Sequence, residues 1–165
     1  MRLSRNFTLQ ELIKSDTALR LGINNEPSKE GILKLTLLAT NLLQPLRDTI
    51  GSIRVTSGYR SPQLSETIGS SANSQHCRYE AVDIQFVKRS KMDNLKIYEA
   101  LIGQCLEFDQ CILEFGDSTP TLNPSYPAWV HLSWKISDNR NEVLIAYKDE
   151  NNKTKYRPPT KYNSI

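Results

Sequence analysis

The chain contains only two histidines, and the residues around both could support metal chemistry. His76 follows a loop rich in serine and asparagine, and His131 lies within the sequence WVHLSW. Asp83 lies between them on a predicted strand, where alternation places its carboxylate on the face opposite its apolar neighbours. Two imidazoles and one carboxylate are ligands of catalytic zinc sites, which keep a fourth position open for water. The residue types therefore allow a catalytic zinc centre.

Each of these residues also has an ordinary structural explanation. A histidine on a strand is commonly a hydrogen-bonded structural residue, and an aspartate on a strand often keeps a sheet edge soluble. A nucleophilic site is a further alternative, since Cys77 adjoins His76. Consecutive residues point apart, however, and no paired asparagine or aspartate is evident for such a site. The residues alone leave the metal centre and the structural roles open.

Local signals predict that helices occupy the first third of the chain. Thr8 and Glu11 have the spacing of a capping box, which predicts a short helix through about residue 14. Ser28 is expected to cap a longer helix, in which apolar residues recur at helical spacing. Pro45 should bend the last turn of this helix, and Gly51 should end it.

Strand signals follow along most of the remaining chain. They predict five strands, at residues 53–57, 81–86, 111–115, 129–134 and 143–147. Two further helices are expected, one capped by Ser61 and closed by Gly69, the other running from Ser90 to about Gly103. Helices followed by mostly consecutive strands predict an α+β fold.

Length and composition predict one globular domain and exclude several classes of protein. The chain has 165 residues, a length typical of a single domain. Its longest apolar stretch, around residues 35–43, is interrupted by polar residues and is far too short to span a membrane. A net charge of +3, without a basic helix or an array of aromatic residues, is too weak to indicate nucleic-acid binding.

The N-terminus and the cysteines favour a cytoplasmic protein. No apolar run or small-residue cleavage site follows the first residues, so a secretory signal is not expected. The three cysteines are an odd number without Cys-x-x-Cys spacing, which argues against a disulfide framework and against a zinc knuckle. We therefore expect reduced thiols and a protein that stays in the cytoplasm of the cell that makes it.

Three groups of residues resemble the successive motifs of a known enzyme family. They are SGYRS at residues 57–61, SQH at 74–76 followed by EAVD at 80–83, and WVHLS at 129–133. In this order they resemble the D-alanyl-D-alanine carboxypeptidase-like zinc peptidases. The N-terminal sequences FTLQEL, SDTA and PLR resemble the short phage and prophage branch, so the similarity covers most of residues 3–135. The resemblance implies a Hedgehog/D,D-peptidase-like fold, in which a small antiparallel sheet carries the zinc site and packs against N-terminal and crossover helices.

The resemblance also implies a role for each motif residue. One zinc ion would be held by His76, Asp83 and His131. Arg60 matches the arginine that the family places near the substrate carbonyl, where it could stabilise an oxyanion or bind a substrate carboxylate. Pairing of this arginine with a surface acid is the alternative. Ser74 matches a position that contacts substrate, although a serine in this loop could equally cap a turn.

Two positions depart from the pattern of the family. Its members usually carry an acidic residue three positions before the last histidine, where this chain has Ala128. Glu114 is the closest replacement as the general base, with Asp109 and Asp117 as other candidates. A mere orienting role of Glu114 toward a ligand histidine is the alternative. Tyr79 stands where the family has glycine, so either the local loop differs or this side chain lines the cleft.

The composition changes after residue 147. Residues 148–165 are polar and basic and carry almost no aliphatic side chains. We interpret residues 1–147 as the zinc peptidase domain and residues 148–165 as a polar basic C-terminal tail. Such a tail is typical of a solvated terminus, and attachment to an anionic surface is the alternative.

The function implied by the resemblance is hydrolysis of a peptide bond in the stem peptides of bacterial peptidoglycan. The bond would be of the D-Ala-D-Ala carboxypeptidase type or of the L-Ala-D-Glu endopeptidase type, and the three prolines in residues 116–128 predict a preset rim for the cleft. We expect a monomer of phage or prophage origin, without nucleic-acid or membrane partners, that acts on the wall after release or as a virion component. The alternative is a non-catalytic zinc-containing wall-binding or phage structural module of the same fold.

Overall fold

The computed structural model describes residues 1–88, 91–115 and 127–159. Its six α-helices are α1 (Leu9–Ile13), α2 (Asp16–Leu21), α3 (Lys29–Leu38), α4 (Gln44–Ile50), α5 (Pro62–Thr67) and α6 (Leu95–Gly103). Its strands are β1 (Ile53–Ser57), β2 (Ala81–Lys88), β3 (Lys91–Met92), β4 (Gln110–Glu114), β5 (Trp129–Ser133), β6 (Glu142–Lys148) and β7 (Thr154–Arg157). The predicted α+β class is confirmed.

The N-terminal helices begin largely where the capping signals place them. The Thr8 hydroxyl accepts a hydrogen bond from the Glu11 backbone N–H, and the Glu11 carboxylate accepts one from the Thr8 N–H, so the capping box is confirmed. Helix α2 was not predicted. It is capped by the Ser15 hydroxyl and ended by Gly22 in the left-handed conformation. The helix is too short to show a periodic apolar pattern, so the sequence gives little indication of it.

The long helix predicted between Ser28 and Gly51 is confirmed at its ends and interrupted in its interior. The Ser28 hydroxyl caps α3, and Gly51 ends α4 with a φ of 96°. A π-helical turn at Ala39–Leu43 joins the two helices. Pro45 is the second residue of α4 and has no N–H to donate to the preceding turn, so a widened turn accommodates the proline without breaking the helical path.

The strands form one sheet in the order β1-β2-β5-β4-β6-β7, with β3 paired to β2. Its pairs are antiparallel except for β4 and β6, which run parallel because the chain leaves β5 and returns on the far side of β4. The expected helix from residue 90 begins instead at Leu95, since residues 91–92 extend the sheet as β3. Ser90 lies outside the described residues.

Residues 154–157 form a strand within the segment whose composition predicts a solvated terminus. β7 pairs with β6, with Tyr156 opposite Ala146. The Asp149 carboxylate accepts hydrogen bonds from two backbone N–H groups of the intervening turn. Asn152 adopts the positive φ, 58°, that this turn contains. β7 is an edge strand, and an edge strand keeps polar side chains in solvent, so paired backbone is compatible with the polar composition of these residues. The division of the chain at residue 147 stays a prediction.

A single hydrophobic core lies between the helices and one face of the sheet. Leu35, Leu42 and Leu46 from the long helical segment have no accessible surface. They belong to the same buried cluster as apolar residues of the two central strands, namely Val82, Ile84, Val130 and Leu132. Because side chains alternate along a strand, the residues between these apolar positions point to the opposite face of the sheet. That face carries the candidate site.

Candidate metal centre

Neighbouring strands and one loop bring His76, Asp83 and His131 together. Asp83 on β2 lies directly opposite His131 on β5 in the antiparallel register. His76 comes from the loop that leads into β2. Asp83 Oδ1 lies 3.3 Å from His76 Nε2 and 3.1 Å from His131 Nδ1, and the two nitrogens are 3.2 Å apart. The three donor atoms therefore form a nearly equilateral triangle.

This triangle has the dimensions of one face of a zinc coordination shell. Imidazole nitrogens and carboxylate oxygens bind zinc at about 2.0–2.1 Å, so two ligands of a tetrahedral site lie about 3.3 Å from each other. The observed separations of 3.1, 3.2 and 3.3 Å agree with that value. His76, Asp83 and His131 could thus hold a metal ion through three protein ligands.

Hydrogen bonds on the far side of each imidazole select the tautomer that a metal requires. His76 Nδ1 lies 2.7 Å from the carbonyl oxygen of Gly58, and His131 Nε2 lies 3.2 Å from Oε1 of Gln75. Carbonyl oxygens can only accept, so each of these ring nitrogens donates its proton. The lone pairs of His76 Nε2 and His131 Nδ1 are then directed into the triangle.

Position 58 has no room for a side chain, so glycine is the residue type that fits there. A Cβ atom there would lie 2.1 Å from the carbonyl oxygen of Leu12, which also accepts a hydrogen bond of 2.7 Å from the N–H of Tyr59. The loop that carries Gly58 is therefore held tightly against α1. Through this contact the N-terminal helix fixes the carbonyl group that orients His76. The sequence motif SGYRS contains Gly58, but the motif alone did not assign it this role.

Arg60 lies directly against the proposed ligands and does not pair with a surface acid. Its Nη2 donates to Asp83 Oδ2 at 2.6 Å and lies 3.2 Å from His76 Nε2, while its Nε donates to Ser57 Oγ at 2.9 Å. Asp83 thus presents one oxygen to the imidazoles and the other to the guanidinium.

Glu114 lies on the same face of the sheet as the histidine of β5. On β4, Ile112 is opposite His131 and Glu114 is opposite Trp129, so Glu114 and His131 are diagonal neighbours. Burial raises the pKa of Glu114 to about 7. The backbone N–H of Ala128 donates to the Glu114 carbonyl oxygen at 2.8 Å. The backbone of Glu114 is therefore directly hydrogen-bonded to that of Ala128.

The other candidate bases are differently placed. Asp109 is fully buried in ion pairs with Lys135 and Arg140, and the amide of Gln75 lies between its carboxylate and His131. Asp117 lies outside the described residues, as do residues 116–126 of the expected cleft rim.

Two loop residues take structural positions near His76. The Ser74 hydroxyl accepts a hydrogen bond of 3.3 Å from the His76 N–H, as expected of a turn cap. Tyr79 has a positive φ of 64°. This conformation is costly for a tyrosine, whereas glycine would adopt it easily. Its ring stacks on Tyr59 at a centroid distance of 4.3 Å, and its hydroxyl accepts from the Ser28 N–H at 3.4 Å. These contacts hold Tyr79 against the start of α3.

A polar groove of about 720 Å³ adjoins the site on the side of β1. Ser57 and Arg60 contribute to its lining, as do Arg54, Arg47 and Asp16. Among the described residues, β1 pairs with β2 alone, so its other edge borders this groove. The groove therefore gives an extended chain a route toward Arg60.

The thiols take no part in this arrangement. Cys77, Cys105 and Cys111 are unpaired in the structure. Cys77 Sγ lies 3.8 Å from the carbonyl oxygen of Ser71.

Across the described residues, none of the helices has both the length and the apolar character needed to cross a membrane.

A buried cluster of two histidines and one aspartate on an α+β fold is typical of a metallopeptidase. A family model described as Peptidase M15 matches residues 5–109, which is more than half of the chain, and the protein belongs to this family of zinc peptidases. The matched range includes His76 and Asp83 and ends before Glu114 and His131. A comparison with curated proteins found no match.

Proposed function

We propose that the protein hydrolyses a peptide bond in the stem peptides of bacterial peptidoglycan, with one zinc ion held by His76, Asp83 and His131. The observation that carries this proposal is the triangle of donor atoms with edges of 3.1–3.3 Å, in which both imidazoles are already in the metal-binding tautomer. Membership of the Peptidase M15 family supports the reaction type.

The residues around the triangle supply the proton transfers that hydrolysis needs. A zinc ion at this site would supply Lewis acidity toward the scissile carbonyl and would lower the pKa of a water molecule toward neutrality. The carboxylate of Glu114 accepts one proton of the attacking water while the water oxygen forms a bond to the carbonyl carbon. The C–N bond then breaks, and Glu114 delivers that proton to the leaving amine. Burial raises the pKa of this carboxyl group, which brings it closer to the range that suits a group that must both accept and donate.

Arg60 supplies a fixed positive charge beside the reacting carbonyl. Its guanidinium is largely buried and is held by Ser57 and Asp83, so it needs little reorganisation when negative charge develops on the substrate. It stabilises the oxyanion or binds a carboxylate of the substrate. Ser74 is the remaining substrate-contacting residue of the proposal, in addition to its role as a turn cap.

The choice of peptidoglycan as substrate rests on the resemblance of the motifs to D-alanyl-D-alanine carboxypeptidase-like enzymes. The bond is proposed to be of the D-Ala-D-Ala or the L-Ala-D-Glu type. The groove along β1 has room for a stem peptide, and its arginines suit peptides rich in carboxylates. We further propose a monomeric protein of phage or prophage origin that reaches the wall after release from the cytoplasm or as part of a virion.

A second candidate function is a wall-binding or phage structural module without catalysis. The observation that favours it is Ala128, which places no carboxylate at the usual position of the family's base. The two functions differ in whether Glu114 transfers protons. Comparison of the wild type with Glu114→Gln and His131→Ala therefore distinguishes them.

The test is mass spectrometry of purified peptidoglycan fragments after incubation with the zinc-loaded protein. Walls of several peptide chemistries are treated in parallel with the wild type, with Glu114→Gln and with His131→Ala. We expect new fragments from the wild type alone, and their masses identify the bond. Stoichiometric zinc binding by the wild type without any cleavage would replace the peptidase proposal by the binding module.

A further inference from the structure

A chain of hydrogen bonds leads from His131 away from the metal centre into a buried ion-pair cluster. His131 Nε2 lies 3.2 Å from Oε1 of Gln75, and Nε2 of the same amide donates to Asp109 Oδ2 at 2.7 Å. Asp109 is fully buried. Its carboxylate accepts from Arg140 at 2.6 and 2.9 Å and from Lys135 at 3.0 Å. The mechanism above uses none of these four residues, of which Gln75 alone contacts His131.

The buried carboxylate dictates which way the Gln75 amide points. Burial raises the pKa of Asp109, but hydrogen bonds from Arg140 and Lys135 outweigh it, so the group is ionised and can only accept. The amide must therefore direct its NH2 group to Asp109, which leaves its carbonyl oxygen for His131. A reversed amide would place two acceptors together at Asp109 and would offer His131 a donor in place of an acceptor.

The position of Asp109 is itself fixed from several directions. Its backbone N–H donates to the Ser133 carbonyl oxygen at 2.7 Å, and its carbonyl oxygen accepts from the Glu142 N–H at 3.0 Å. Asp109 thus joins the end of β5 to the start of β6. Because the carboxylate has little freedom to move, it also restricts the amide of Gln75. The amide in turn restricts the imidazole of His131 on β5.

We propose that Asp109, acting through the amide of Gln75, fixes the tautomer and the ring orientation in which His131 binds a metal. Asp109 and Gln75 are positioning residues, since neither supplies a donor atom of the triangle nor contacts the reacting atoms. This inference rests on the proposed metal centre, because it assigns to His131 Nδ1 the role of a ligand atom.

The test combines zinc affinity with the protonation pattern of the metal-free imidazoles. The variants are Gln75→Leu, Asp109→Asn, and the double variant Gln75→Glu with Asp109→Asn, in which the acceptor and the donor are exchanged. Gln110→Leu is the matched control, because Gln110 also donates to a carboxylate, that of Glu142 at 2.6 Å, and is likewise partly buried. Zinc affinity is measured by competition with a chelating indicator, and folding is checked by thermal unfolding.

Zinc dissociation constants are expected to rise about 10–100-fold in both single variants, as for other outer partners of ligand histidines. The exchanged pair should return to within a few-fold of the wild type, and Gln110→Leu should not change. Should Asp109→Asn fail to fold, Gln75→Leu carries the same comparison. Unchanged affinity in the folded single variants would overturn the inference.

Long-range proton–nitrogen NMR of the metal-free protein gives a readout that needs no zinc and no activity. The chain has two histidines, so two imidazole patterns are expected above neutral pH. We expect a proton on Nε2 of His131 and on Nδ1 of His76, with a second His131 tautomer appearing only when Gln75 or Asp109 is changed. A wild-type His131 protonated on Nδ1 would refute the inference, whereas absence of zinc binding with the expected tautomers would refute the metal centre alone.

Discussion

Substitution of Gly58 by alanine tests the connection between the N-terminal helix and the metal centre. The new Cβ would lie 2.1 Å from the carbonyl oxygen of Leu12 and 2.9 Å from its Cα. Both atoms belong to backbone, so no side chain can rotate away and the loop must move. The movement disturbs the hydrogen bond from the Tyr59 N–H to the Leu12 oxygen, 2.7 Å long, and displaces the carbonyl group that accepts from His76.

The expected cost follows from these two effects. Relief of the overlap costs about 1–3 kcal/mol in the free energy of unfolding, and a weakened hydrogen bond adds about 1 kcal/mol. For a chain of this length, a total of about 2–4 kcal/mol lowers the midpoint of thermal unfolding by roughly 5–15 °C. Misorientation of His76 weakens zinc binding by about 10–100-fold. Circular dichroism measures the first effect, and competition with a chelating indicator measures the second.

Gly103→Ala is the matched control for Gly58→Ala. Gly103 ends α6, and among the described residues no atom outside the adjoining backbone lies within 4 Å of the position that its Cβ would take. Alanine there should leave the stability unchanged or raise it by up to about 1 kcal/mol, with no effect on zinc binding. If Gly58→Ala unfolds at the wild-type temperature and keeps the wild-type zinc affinity, the connection that we derive from α1 to His76 is wrong.

Three further predictions concern the residues around the metal centre. His76→Ala and His131→Ala should each lose stoichiometric zinc and hydrolysis together, as seen by metal analysis and by fragment release; retention of tightly bound zinc by either variant would exclude that residue as a ligand. Glu114 should titrate near 7 in the metal-free protein, and zinc should lower the midpoint because a nearby cation favours the carboxylate, so activity should rise with pH through the lower midpoint; carboxyl NMR that finds a metal-free midpoint near the ordinary 4.5 would contradict this. Arg60→Lys keeps the charge but loses the fixed fork that binds Ser57 and Asp83, so kcat/KM should fall on the order of 10²-fold with zinc retained, and an unchanged rate would remove Arg60 from the reaction.

Local alternation in the sequence was sufficient to place Asp83 on the face opposite Val82 and Ile84, and His131 on one face with Trp129 and Ser133. Alternation with buried neighbours determines each face, and the structure shows the two residues opposite each other on β2 and β5. The capping signals of Thr8 and Ser28 likewise predicted helix starts that the structure confirms. These features depend on residues within a few positions of one another, which is why sequence patterns reveal them.

Features that depend on distant partners were not predictable in the same way. Gln75 and Asp109 are 34 positions apart, and only the folded sheet brings the amide between the carboxylate and His131. Strand β7 consists of polar residues whose pairing with β6 is made by backbone groups, so its composition resembles that of a solvated terminus. Tyr79 shows the same limit, because its strained backbone is offset by a stacked partner, Tyr59, 20 positions earlier in the chain.

The central claim is that one zinc ion, held by His76, Asp83 and His131, makes the protein a peptidase of peptidoglycan stem peptides. It is tested most directly by titrating the metal-free protein with zinc while bound zinc and the release of fragments from defined stem peptides are measured in the same samples. We predict that both quantities rise together and saturate at one zinc per chain. Hydrolysis that proceeds without bound zinc, or full zinc occupancy without hydrolysis of any stem peptide, would contradict the claim.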